Sequence, residues 1–135
     1  MASIKRFEEI LAWQRAKELV REVYLACHRG QFSRDFGLRD QICRAAVSSM
    51  SNVAEGFGRK SSKDFAYFLD VARGSGLEVQ SLLYVARDLN YINDEEFQRL
   101  YNRADEVISL IAGFTSYLRN TRVRTAKPEL RTPNS

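Results

Sequence analysis

Proline is almost missing from this chain: Pro128 and Pro133 are the only two in 135 residues, and both lie among the last eight. An interior proline removes a helical hydrogen bond and clashes with the preceding turn, so nothing before position 128 forbids helix on that ground. Histidine is reduced to His28 and cysteine to Cys27 and Cys43, which lack the C-x-x-C spacing of redox and zinc motifs. A lone histidine adds no metal-ligand cluster along the sequence. No metal or cofactor is therefore expected, and the cysteines read as buried free thiols of a cytosolic protein. No apolar run approaches the ~20 residues of a membrane span. The N-terminal Lys5-Arg6-Phe7-Glu8-Glu9 leads into no continuous apolar stretch, which argues against a secretory signal. The expectation is a cytoplasmic protein without a membrane partner.

What is present suits one globular domain. Hydrophobic residues make up 44% and charged residues 28%, and the length is enough to bury a core without disulfides. The net charge of +4 is unevenly placed. Arg119, Arg122, Arg124, Lys127 and Arg131 face only Glu129 in the last 17 residues, and that stretch holds the whole excess. The first 118 residues are neutral overall. The sequence thus divides into a balanced body, residues 1–118, and a basic tail, residues 119–135, expected to be disordered. Such a tail suits an anionic partner, RNA or DNA, or merely solubilises the chain.

Apolar periodicity predicts four helices. The first runs from about Glu8 to His28, with Trp13, Ala16, Val20, Val23 and Cys27 in steps of three and four, Leu19 and Tyr24 widening the stripe, and Gly30 as a stop. The second runs from about Leu38 to Gly58 on Leu38, Ile42, Ala45, Ala46, Ser49, Val53 and Phe57. Its many small residues admit a close neighbour. The third starts at Ser61 or Ser62 and keeps a 4-3-4-3-4-3 seam through Phe65, Leu69, Ala72, Gly76, Val79, Leu83 and Ala86, to about Asn90. The fourth opens at Asn93, where Asn93 with Glu96 resembles a capping box. Its seam is Phe97, Leu100, Ala104, Val107, Ile111, Phe114 and Leu118, and the tail begins near Asn120. Heptad-like seams on helices joined by short turns predict an all-α fold: an up-down-up-down, antiparallel, left-handed four-helix bundle.

Some polar residues fall outside that scheme. Arg44, Ser48, Asn52, Glu55 and Arg59 share one side of the second helix, and Arg73, Ser75, Glu78 and Gln80 interrupt the third. They are either a solvated face or a partly buried hydrogen-bonded network at a helix or subunit contact. Gly74 and Gly76, each costing the third helix about 1 kcal/mol against alanine, suggest close approach by another backbone. Glu55 and Glu78 have no nucleophile, histidine base or metal set beside them, which speaks against an enzyme. The turn Gly56-Phe57-Gly58-Arg59-Lys60-Ser61-Ser62-Lys63 lacks the spacing of a phosphate loop. Arg59, Lys60 and Lys63 nonetheless surround the start of a helix, where free amides favour an anion. Most aromatics are expected in or near the core.

Three runs, Arg44-Ala45-Ala46-Val47-Ser48, Asn52-Val53-Ala54-Glu55-Gly56 and Gly58-Arg59, are continued by Phe65, Phe68-Leu69, Ala72-Arg73-Gly74-Ser75 and Glu78. With Trp13-Gln14, Ala16, Phe36-Gly37-Leu38 and Gln41, they resemble the bacterial four-helix-bundle family of the 23S rRNA intervening-sequence protein over roughly residues 4–118. Ser33 and Ser49-Met50 stand where that family often has proline. The resemblance implies a cytoplasmic up-down bundle assembled into a homopentameric ring. A related branch serves as accessory protein to the reverse transcriptase of diversity-generating retroelements and binds nucleic acid. In a ring, Arg44, Ser48, Asn52, Glu55, Arg73, Ser75 and Glu78 would serve subunit contacts, and five tails would supply about +20 of charge to linked phosphate contacts. Two readings stay open: an oligomeric, non-enzymatic nucleic-acid-binding protein, RNA-associated, contacting phosphate through Arg59, Lys60, Lys63 and the tail; and a protein-interaction scaffold, such as a reverse-transcriptase accessory subunit.

Overall fold

Each of the last three helices begins at a polar side chain that takes a free backbone amide. Asp35 Oδ1 accepts from Leu38 N at 3.1 Å, Ser61 Oγ from Asp64 N at 3.0 Å, and Asn93 Oδ1 from Glu96 N at 2.7 Å. In a computed structural model, residues 3–125 are described, with side chains for 3–120. The helices are α1 (Leu11–Cys27), α2 (Phe36–Phe57), α3 (Ser62–Asp88) and α4 (Asp94–Thr125). Short 3-10 turns at Phe7–Glu9 and Gly30–Arg34 precede α1 and α2. No strand occurs among the described residues.

The expected ends shift at several places. α1 starts at Leu11 because Ile10 is extended and the residues before it form a separate turn. α2 begins two residues early, at Phe36, because Asp35 is its cap. Asn90 takes a left-handed conformation (φ 61°), and Tyr91 N donates back to Ala86 O at 2.9 Å, closing the end of α3. α4 does not stop near Leu118. Its helix continues to Thr125, through the first part of the stretch expected to be disordered.

Contacting residue numbers give the topology. From α1 and Arg29 just beyond its end to α4, the ion pairs are Arg15–Glu106 (3.3 Å), Glu18–Arg103 (3.2 Å), Glu22–Arg99 and Arg29–Glu96, a ladder in which one number rises as the other falls. From α2 to α3 the pairs Gln41–Glu78 and Ser48–Ser75 run the same way. From α3 to α4 so do Tyr84–Phe97, Gln80–Tyr101 and Phe65–Phe114. Successive helices are therefore antiparallel neighbours, and α4 closes on α1.

The core is largely the one the seams predict, with Trp13, Val20, Phe57 and Phe114 only half-buried at its edge. Ala16, Leu19, Val23, Ile42, Val53, Leu69, Val79, Leu83, Leu100, Val107, Ile111 and Leu118 are buried. Tyr24, Phe36, Tyr67 and Tyr84 depart from expectation and are exposed. The glycine pair also divides. A Cβ on Gly76 would lie 2.8 Å from Ile108 Cγ1 of α4, so a side chain rather than a backbone fills that space, while Gly74 has nothing within 4 Å. The tightest approach is at Gly56, where a Cβ would lie 2.8 Å from Phe65 Cδ1 and 2.9 Å from Phe68 Cβ.

Gly56→Ala should destabilise the bundle by about 1–2 kcal/mol, because overpacking against Phe65 and Phe68 exceeds the helix-propensity gain. Gly74→Ala should stabilise the single chain by up to about 1 kcal/mol. Urea unfolding at matched protein concentration checks both. Equal and favourable effects would show that α2 and α3 have room to spare.

Candidate functional site

The polar stripe of α2 separates into three parts. Ser48 Oγ and Ser75 Oγ share a hydrogen bond of 2.7 Å, Asn52 Nδ2 donates to Ser48 O and Oγ at 2.9 Å each, and Ser75 Oγ reaches Val71 O at 3.1 Å. This cluster is half-buried and lies within one chain, between α2 and α3. Beside it, Gln41 Nε2 donates to Glu78 Oε2 at 3.2 Å. Glu55 binds Arg59 one turn on, at 2.8 Å, and not Arg73. Arg44 and Arg73 are exposed and make no ion pair among the described residues. Gln80, largely buried, donates to Tyr101 O and Asp105 Oδ1 of α4, each at 3.4 Å. An open groove lies along Tyr24, Arg44, Val47, Ser48, Ser51, Asn52 and Glu55.

Arg59, Lys60, Lys63 and Arg119 lie towards the same end of the bundle. The turn carrying Arg59, Lys60 and Lys63 joins α2 to α3, and Phe65 just beyond it packs on Phe114 of α4, ring centroids 5.5 Å apart. Arg119, exposed, follows on α4 at that same end. Arg122 and Arg124 belong to the last turns of the helix, and Lys127 and Arg131 lie outside the described residues. Arg59 is less available than its position suggests, since it pairs with Glu55 and stacks over Phe68 at 4.5 Å. The start of α3 is also partly occupied: Ser61 takes an amide and Asp64 adds a negative charge in the first turn. Lys60 and Lys63 are exposed without an ion pair among the described residues.

Two features escape a reading along the chain. α3 carries a second seam, Tyr67, Val71, Gly74, Glu78, Ser81 and Val85, spaced 4-3-4-3-4 like the core seam but facing outward, with Tyr67 63% exposed. Its spacing was visible in the sequence. Its apolar members are masked there by the polar ones. The other feature corrects the expectation of no metal-ligand cluster. Packing of α1 on α2 brings Cys27 Sγ and Cys43 Sγ to 3.0 Å, and ligand atoms of Cys27, His28 and Cys43 all lie within 4.8 Å of one another. Spacing along the chain is blind to this because the ligands come from two helices.

Burial, then the Cys43 hydrogen bond and charge, push the Cys27 thiol up to about 12. A proton held more tightly in the folded chain stabilises it fully below pH 9.0, and that contribution drains as pH rises towards 12. Thiolates rather than thiols react, so iodoacetamide at pH 8 should label Cys27 at least ~100-fold more slowly in the folded than in the urea-unfolded chain. Quenched mass spectrometry reads this out. Equal rates would mean that α1 and α2 separate readily.

Comparison with known proteins fits this architecture. The family described as 23S rRNA-intervening sequence protein matches residues 8–113. A crystal structure of a protein with unknown function from the S23 ribosomal protein family of Bacteroides thetaiotaomicron superposes with a TM-score of 0.71 at 21% identity, covering 77% of this chain and 97% of that one. No curated protein matches.

Proposed function

We propose that this chain, which belongs to the 23S rRNA-intervening sequence protein family, is a non-enzymatic, self-associating cytoplasmic bundle that holds RNA by its phosphates. The observation that carries this reading is the convergence of Lys60, Lys63 and Arg119 at one end, where α4 continues into the basic C-terminal residues. Lysine and arginine on a turn and a helix end contact phosphate oxygens without reading base edges, so binding is electrostatic and weakly sequence-specific. DNA single strands are accepted by the same chemistry. Among the described residues no helix is long and apolar enough to cross a membrane.

Self-association rests on the outward face of α3. Gly74 gives up helix stability although, among the described residues, nothing lies within 4 Å of where its Cβ would stand, and Tyr67, Val71 and Val85 expose apolar surface along the same face. A second copy approaching that face would use both features, with Arg44 and Arg73 free to pair across the contact. The family resemblance makes a ring of five the expected stoichiometry. The same face supports the alternative, a scaffold whose partner is another protein, such as a reverse transcriptase.

Fluorescence anisotropy with single-stranded RNA across a salt series tests the reading. Binding should weaken steeply with salt. The variant Lys60→Ala/Lys63→Ala/Arg119→Ala should flatten the log–log salt slope by about 2, at roughly 0.7 per lost phosphate contact. No binding at low salt would remove the nucleic-acid role and leave the scaffold. A monomer by light scattering would remove self-association.

A further inference from the structure

We propose that Cys27, His28 and Cys43 form a zinc(II) site that clamps the end of α1 to α2, with the fourth position open to solvent. Three observations carry it. The donors are two thiols and an imidazole nitrogen, the soft and borderline set that selects zinc over calcium or magnesium. Cys27 Sγ and His28 Nδ1 are 3.5 Å apart, the edge of a tetrahedron with Zn–S near ~2.3 Å and Zn–N near ~2.0–2.1 Å. His28 is the cap of α1 with non-helical backbone (φ −105°, ψ 20°), which lets two consecutive side chains converge.

The metal-free arrangement needs only a small adjustment. The two sulfurs, 3.0 Å apart, must open to about 3.8 Å to span the tetrahedral edge. His28 Nδ1 lies 2.9 Å from Tyr24 O, so its proton is donated there. On metal binding that proton moves to Nε2, Nδ1 turns its lone pair to the metal, and the exposed Tyr24 end of α1 is left to water. Zinc(II) replaces the two thiol protons, which leave to solvent, and two thiolates balance its charge. The metal and its two thiolates thus form a neutral unit. Arg39 acts on Cys27 as the nearby cation, favouring thiolate while opposing the metal charge. Cys27 is fully buried, and His28 is exposed and opens the way in.

The clamp lies at the end of α1, away from the turn that carries Lys60 and Lys63, so it stands or falls independently of nucleic-acid binding. The test uses the full chain, reduced and anaerobic, titrated with cobalt(II) and then zinc(II). Expected are one cobalt per chain, the visible d–d bands of a tetrahedral ion with thiolate-to-cobalt charge transfer, and displacement by zinc. Cys43→Ser should abolish the charge-transfer band characteristic of two thiolates. His28→Gln, at an exposed position that leaves the core intact, should weaken cobalt about 10-fold or more. Zinc should also raise the melting temperature of the wild-type chain, and by clearly less in His28→Gln at the same zinc concentration. Absence of thiolate-to-cobalt absorption in the folded, reduced wild type overturns the proposal. So does a spectrum or a zinc-induced stabilisation that His28→Gln leaves unchanged.

Discussion

The approach of α2 to α3 at Gly56 is the constraint on which the rest of the bundle depends. With Phe65 and Phe68 closing on a bare Cα, the two helices meet at Gly56 with no room for a side chain. That closeness brings Ser48 within a hydrogen bond of Ser75 and lets Asn52 complete the cluster from the next turn. A larger residue at Gly56 would spread the pair and break the Ser48–Ser75 bond, leaving each hydroxyl only the partner it has in its own helix, Asn52 for Ser48 and Val71 O for Ser75. The network therefore fixes geometry within the chain. The polar residues left over for another molecule are mainly Arg44 and Arg73.

Most of this fold was legible in the sequence. The seams of α3 and α4 name their buried residues almost without error, because a regular seam on a long helix admits only one buried face. Ser61 and Asn93 were legible as starts for the same local reason. What could not be read is tertiary. Gly74 and Gly76 look alike along the chain, yet one faces Ile108 and the other faces water. Arg59 looks like a free cation until Phe68 is placed beneath it. Helix continuation past Leu118 has no apolar seam to announce it, since extending an existing helix adds one hydrogen bond per residue without a new nucleus.

The candidate surfaces occupy different parts of the molecule. The exposed Lys60 and Lys63 lie at the end where α2 turns into α3, and the apolar seam runs along the flank of α3. The thiols and His28 lie towards the other end of α1. Shared architecture with the Bacteroides protein speaks to the fold alone and not to these surfaces.

The ladder of ion pairs between α1 and α4 has a consequence for how the bundle reaches its alignment. Exposed pairs add little stability one by one. Their order matters more. A slip of about one turn in one direction sets Arg15 against Arg103 and Glu22 against Glu96, and a slip in the other sets Glu18 against Glu106. The first and last helices are also the most distant in sequence, so their meeting carries the largest loop-closure cost and waits upon the hairpins between them. The charges thus act as a sliding scale for register: α1 settles where opposite signs face one another, and a slip of one turn either way sets like charges together.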